Sequence, residues 1–189
     1  MSWMVHSAGI KGSGWYVAIG GFKGGDWEDV EYLLAMAGDE ARGTIFQLFD
    51  AERVAGWRHL YFAAVNAVLA SEKGKSISRS LAIEVLLYAS CQDQISRAFE
   101  VIGLSQKTKR IALLVLAQDL EEALQAFERI SSVLGEEDDS ALMMNVGKFR
   151  EIMETFDVSD LELEAIGGMR EEAITRLVVE KGALLPLRR

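Results

Sequence analysis

Near the middle of the chain, apolar residues recur at helical spacing in two neighbouring stretches, Leu81, Val85 and Tyr88 in the first and Ile95, Phe99 and Ile102 in the second. Each set predicts a helix with one buried face. Between them runs Ser90-Cys91-Gln92-Asp93-Gln94, in which every side chain hydrogen-bonds or ionises. This predicts a polar corner between two helices. The second helix would start there with its first backbone N–H groups unpaired, a place where an anion can sit. The plainer alternative is a corner capped by its own side chains, as in most helical domains.

The same reading extends along the chain. Trp15 to Ile19 is a β-prone run closed by Gly20 and Gly21, which predicts a strand and a turn, with residues 1–14 as a loose end. Trp27, Val30, Leu33, Leu34 and Ala37 predict a helix capped by Asp26 and ended by Gly38. Thr44 to Phe49 reads as a second strand. Asp50 is then placed to cap a long helix through about Ala70, with Val54, Trp57, Leu60, Tyr61, Ala64, Val65 and Val68 on one face. His59 lies beside that face and reads as a packed or capping residue.

Ser71 to Ser76 is a polar loop leading to the central pair of helices. Beyond them, the unbroken apolar run Arg110 to Ala117 predicts a strand covered on both faces. Asp119 and Glu122 have capping-box spacing ahead of Leu120, Ala123, Leu124, Phe127 and Ile130, a further helix face. Glu136 to Asp139 predicts an exposed acidic turn without calcium-loop spacing. Ala141 to Val146 predicts a strand with Met143 and Met144 in the core, and Lys148 to Phe156 a helix. A short helix opened by Ser159 or Asp160 ends at Gly167-Gly168, and a last one from Arg170 to Lys181 ends at Gly182. The apolar tail Ala183 to Leu187 must be covered, by pairing with the sheet or by a partner, and pairing is the favoured reading. Together these elements predict one α+β domain over residues 1–189, with a small, mixed, largely antiparallel sheet of four or five strands and several helices.

Composition narrows the chemistry. The chain of 189 residues has one cysteine and two histidines, too few for an internal disulfide or a four-ligand zinc site, so neither metal nor cofactor is expected. The glycines of GIKGSGW and GGFKGGD lack the Gly-Lys-Ser/Thr ending of a phosphate loop. No run approaches the ~18 apolar residues of a membrane span, and the N-terminus lacks the features of a signal peptide, so a soluble, cytoplasmic protein without a membrane partner is expected. A net charge of −9 argues against general nucleic-acid binding, and no DNA partner is expected. The charge is uneven, however. Ser71 to Arg110 carries seven basic residues (Lys73, Lys75, Arg79, Arg97, Lys107, Lys109, Arg110) against four acidic ones, a local excess of three positive charges around the corner.

Residues Phe46 to Leu104 also carry a series of short motifs in unbroken order: Phe49-Asp50-Ala51, Val54-Ala55-Gly56, His59-Leu60, Ile77-Ser78, Glu84-Val85-Leu86-Leu87-Tyr88-Ala89-Ser90 and Gln94-Ile95. This stretch resembles the small kinase-binding regulatory subunit of the KEOPS (EKC) complex, the TPRKB family, in its archaeal type. Cys91 stands where that family usually has Gly, and Asp93 where it usually has Arg. The resemblance implies a compact α/β domain without catalytic activity that binds the complex's small atypical kinase/ATPase. It implies support for threonylcarbamoyladenosine synthesis in tRNA, and contact with the 3′ CCA end of tRNA. The candidate residues for that contact are Arg79, Tyr88, Ser90, Cys91, Gln92, Asp93, Gln94 and Ile95, with Tyr88 stacking on a base. Leu184, Leu185 and Leu187, with the helix before them, are candidates for the partner surface. Two other readings stand beside this one. The first is an enzyme with Cys91 as nucleophile and His59 or His6 as base. The second is a scaffold without RNA contact, suggested by Asp93.

Overall fold

A computed structural model describes residues 5–23 and 29–187. The strands are β1 (His6–Ile10), β2 (Trp15–Lys23), β3 (Ile45–Asp50), β4 (Arg110–Ala117) and β5 (Glu136–Glu137). The helices are α1 (Val30–Ala41), α2 (Trp57–Glu72), α3 (Leu81–Ser90), α4 (Ile95–Ile102), α5 (Leu120–Leu134), α6 (Val146–Thr155), α7 (Asp160–Ile166) and α8 (Arg170–Ala183). Single 3₁₀ turns cover Ala51–Arg53, Asp139–Leu142 and Leu185–Leu187.

The sheet is antiparallel throughout, in the order β1-β2-β4-β3, with β5 paired to the end of β2. The apolar run of β4 explains the layering. Ala112, Leu114 and Leu116 face a core shared with α2 and α3, while Ile111, Leu113 and Val115 face another shared with α1 and α5. A third cluster joins α6, α7 and α8 to Ala55 and Cys91, so the C-terminal helices pack against the beginning of α2 and the end of α3.

Several expectations are corrected. Residues 6–10 are β1, so the first 14 residues are not all a loose end. Gly20 and Gly21 lie inside β2, where a β-carbon would come within 2.4 Å of the Phe127 ring and 2.7 Å of the Asp138 carbonyl. Their smallness lets α5 and the Asp139–Leu142 turn approach the strand. Asp29 caps α1 and Gly38 lies within it, while the expected cap Asp26 and Trp27 fall outside the described residues. Asp50 caps the 3₁₀ turn, accepting from Glu52 N–H, and α2 begins only after Gly56.

The predicted strand at Ala141 to Val146 is instead the end of a 3₁₀ turn capped by Asp138 and the start of α6. Met143 is 61% exposed rather than in the core. The tail is a 3₁₀ turn and not a sheet strand. Gly182 lies inside α8.

Candidate functional site

The corner between α3 and α4 is built by a helix-ending motif. Cys91 adopts the left-handed conformation (φ 57°, ψ 30°), its N–H donating to the Leu87 and Tyr88 carbonyls. The Gln92 N–H reaches back to the Leu87 carbonyl at 3.1 Å. This is a Schellman cap, whose left-handed position favours glycine because a β-carbon is strained there. The chain then turns into α4, whose N-cap Gln94 makes no side-chain capping bond.

The expected site residues divide between surface and interior. Asp93, Gln94 and Ile95 are exposed and Gln92 half-buried, so these form the open corner. Ser90 is buried and its hydroxyl donates to the Leu87 carbonyl at 3.1 Å. Tyr88 is 4% exposed, which corrects the expectation that its ring receives a base. Ile95 and Phe99 were expected to bury one face of α4, yet they are 46% and 42% exposed, because Ala98 and Ile102 take the inward positions. One turn apart on α4, Ile95 and Phe99 leave an apolar strip beside the corner. Arg79 is exposed but precedes α3, so the length of that helix, about 15 Å at 1.5 Å per residue, separates it from the corner. Lys107 and Lys109 are exposed beyond the far end of α4. Arg79, Lys107 and Lys109 therefore flank the corner from a distance, while Arg97, exposed in the first turn of α4, stands beside it and pairs with Glu100.

Polar side chains, Glu84 and His59 buried and Arg53 half-exposed, hold this region in place. Glu84 is fully buried, and its carboxylate accepts from Ile77 N–H at 3.0 Å and Ser78 N–H at 2.7 Å, fixing the loop that carries Arg79. Arg53 donates to the Glu100 and Val101 carbonyls near the end of α4 and to Glu151 on α6. His59 is 2% exposed, with Nδ1 accepting from Ala55 N–H at 3.1 Å and Nε2 donating to the Ala89 carbonyl at 2.8 Å. That pairing selects the neutral tautomer with its proton on Nε2. Burial pushes its pKa down to about 4. The packed, capping role expected of His59 is the one it has.

Lys148 is buried too, with Nζ donating to the Ala141 carbonyl at 2.6 Å, and burial pushes its pKa down to about 8. Glu84, Arg53 and Lys148 were not identified as structural residues from the sequence. A carboxylate inside an otherwise apolar helix stretch, as at Glu84, was the available signal for the first.

The residues of the nucleophile reading, Cys91, His59 and His6, each make other contacts. Both His59 nitrogens are engaged by backbone groups, His6 Nε2 lies 3.1 Å from Asp139, and the buried Cys91 Sγ lies 3.7 Å from the Val178 carbonyl. Among the described residues no group of three His, Cys, Asp or Glu could hold a metal ion, and no helix is long and apolar enough to cross a membrane.

At the C-terminus, Leu185 is buried in the main core, whereas Leu184 and Leu187 are 39% and 79% exposed. This corrects the expectation that all three leucines meet a partner. Leu184 borders a groove of about 380 Å³ with Ile166 and Leu177. A larger groove, about 600 Å³, lies between the start of α2 and α8, with Trp57, Phe62, Met144 and Val179 among its walls.

The family model described as kinase binding protein CGI-121 matches residues 32–184. The chain belongs to the CGI-121 family. It is 32% identical over 147 residues to the regulatory protein Cgi121 of Methanocaldococcus jannaschii, covering 78% of this chain and 87% of that protein. The CGI-121 match runs from α1 through α8, so it includes the corner, the buried histidine and the grooves along α8.

Proposed function

We propose that this chain is a non-catalytic regulatory subunit of the KEOPS type, acting in the cytoplasm, that binds a small kinase/ATPase and the unpaired 3′ CCA end of tRNA. In that role it supports threonylcarbamoyladenosine formation. Membership of a kinase-binding family carries the first half of this reading. The kinase docks along α8 and the exposed leucines Leu184 and Leu187, where grooves and unburied apolar side chains offer an interface core.

The corner supports the second half. An unpaired RNA end offers base faces, base edges and phosphates. Phe99 and Ile95 provide an exposed apolar platform, Gln92 and Gln94 provide amide groups, and the uncapped start of α4 provides backbone N–H groups. Asp93 opposes phosphate, so the affinity rests on stacking and edge contacts.

Size-exclusion chromatography of the protein mixed with the kinase of its own organism tests the first half. Co-elution is expected, and two separate peaks at micromolar concentrations would refute it. Binding of intact tRNA against tRNA trimmed of CCA tests the second half. Weaker binding of the trimmed RNA is expected, and equal binding refutes end recognition.

A further inference from the structure

The segment ahead of α2, the end of α3 and helix α8 form one closed ring of contacts. Thr175 on α8 places its hydroxyl 3.0 Å from the Ala55 carbonyl, sharing its proton with the Glu171 carbonyl. The Ala55 N–H donates to His59 Nδ1, and His59 Nε2 donates to the Ala89 carbonyl. Two residues on, Cys91 Sγ meets the Val178 carbonyl, back on α8. Tyr88 adds a steric contact, because its carbonyl lies against Gly182 of α8 so closely that a β-carbon there would be 2.7 Å away.

Ala55, His59, Ala89 and Val178 are all buried, so water cannot replace the inner links of the ring, and only the Thr175 link is half-exposed. The outer side of α8 carries exposed Glu171, Glu172 and Arg176 along the larger groove, which Thr175 and Ala55 of the ring also line. One helix therefore presents a surface outward and sets the position of both the Ala55 segment and the α3–α4 corner inward.

We propose that His59 is a positioning residue that couples a partner docked on α8 to the α3–α4 corner, so that kinase and RNA 3′ end bind with mutually dependent affinities. This rests on the kinase and RNA assignments proposed above. A displacement of α8 moves Thr175 and Val178 together. His59 ties the Ala55 segment to the last turn of α3, so the corner adjusts with them. Linkage requires the effect to be reciprocal: the kinase changes RNA affinity by the same factor as RNA changes kinase affinity.

The test measures binding of labelled CCA-ended tRNA to the protein alone and saturated with kinase, and kinase binding with and without that tRNA. The expected change is at least about fivefold, equal in both directions. His59→Leu fills the space but neither donates nor accepts, and should bring the ratio to about one, while His59→Gln keeps one donor and one acceptor and should restore it. Thr175→Val opens the ring from the half-exposed side, and should lower the ratio even if His59→Leu fails to fold. A wild-type protein that binds both partners with a ratio near one overturns the coupling alone, as does a Thr175→Val variant with the full wild-type ratio. Failure of the wild-type protein to bind either partner overturns the partner assignments and the coupling with them.

Discussion

Gly182, in the last turn of α8, lies against the carbonyl of Tyr88 at the end of α3, where an added β-carbon would come within 2.7 Å of the oxygen. Glycine inside a helix normally costs about 0.5–1 kcal/mol relative to alanine. Here the sign reverses, because the obstacle is buried backbone that cannot step aside. Gly182→Ala is expected to destabilise the protein by about 1–3 kcal/mol. Urea denaturation checks this, and a more stable variant would show that α8 does not pack as closely as described.

Cys91 occupies a left-handed position, which glycine fills without strain. A side chain there costs roughly 1–2 kcal/mol, while the buried thiol gains packing and a weak contact with the Val178 carbonyl. These oppose each other, so Cys91→Gly is expected to change stability by no more than about 1 kcal/mol. Cys91→Val adds β-branching in a region that β-branched residues avoid, and is expected to lower the melting temperature clearly. Thermal melts should rank Gly at or above Cys and Val well below both. Cys ranking clearly above Gly would mean that the thiol's packing and contact outweigh the backbone strain.

The two variants show why the sequence was informative in some places and not in others. Elements specified by their own spacing were legible: the continuous apolar run of β4, the Asp119 cap of α5, and the short α7 opened at Ser159 or Asp160 and ended at Gly167. Elements decided by distant contacts were not. Gly20 and Gly21 read as a turn because their reason for being small is Phe127 and Asp138, more than a hundred positions away. Gly182 read as a helix end for the same reason. At the candidate site the polar corner was legible, yet the aromatic assigned to it was not. Tyr88 and Phe99 both fit a helical stripe, and only the packing around each decides that Tyr88 joins the main core while Phe99 stays exposed.

His59 gives stability a dependence on pH with a defined sign. Its folded-state pKa of about 4 lies below the ordinary 6.5, because burial disfavours the imidazolium. In addition, a proton on Nδ1 would face the Ala55 N–H. Between these values the unfolded chain binds the proton and the folded one does not, so stability is full above about pH 6.5 and falls as the pH drops towards 4. The loss amounts to roughly 3 kcal/mol at 1.36 kcal/mol per unit. His59→Gln has no proton to gain, so the difference in unfolding free energy between the two proteins should narrow by that order from pH 7 to pH 4. A constant difference would mean that His59 has the same pKa in the folded and unfolded chains.

Asp93 stands on the exposed corner, next to the uncapped start of α4. If a phosphate of the RNA end lies about 6 Å from it, each unit charge contributes roughly 0.7 kcal/mol in water-like surroundings. Reversing the sign with Asp93→Arg therefore shifts binding by about 1.4 kcal/mol, close to tenfold. The gained contact should also steepen the fall of affinity with salt by about 0.7 in the logarithmic slope, as for one more phosphate on a single strand. Phe99→Ala should instead weaken binding by about 1–3 kcal/mol with little change in slope, because stacking carries no net charge. Filter binding of CCA-ended and trimmed tRNA across a range of salt concentrations separates these effects. The Asp93→Arg gain should be confined to the CCA-ended RNA, since trimming removes the phosphates that reach the corner. An equal gain for both RNAs would place the contact on the body of the tRNA and remove the corner as the seat of end recognition.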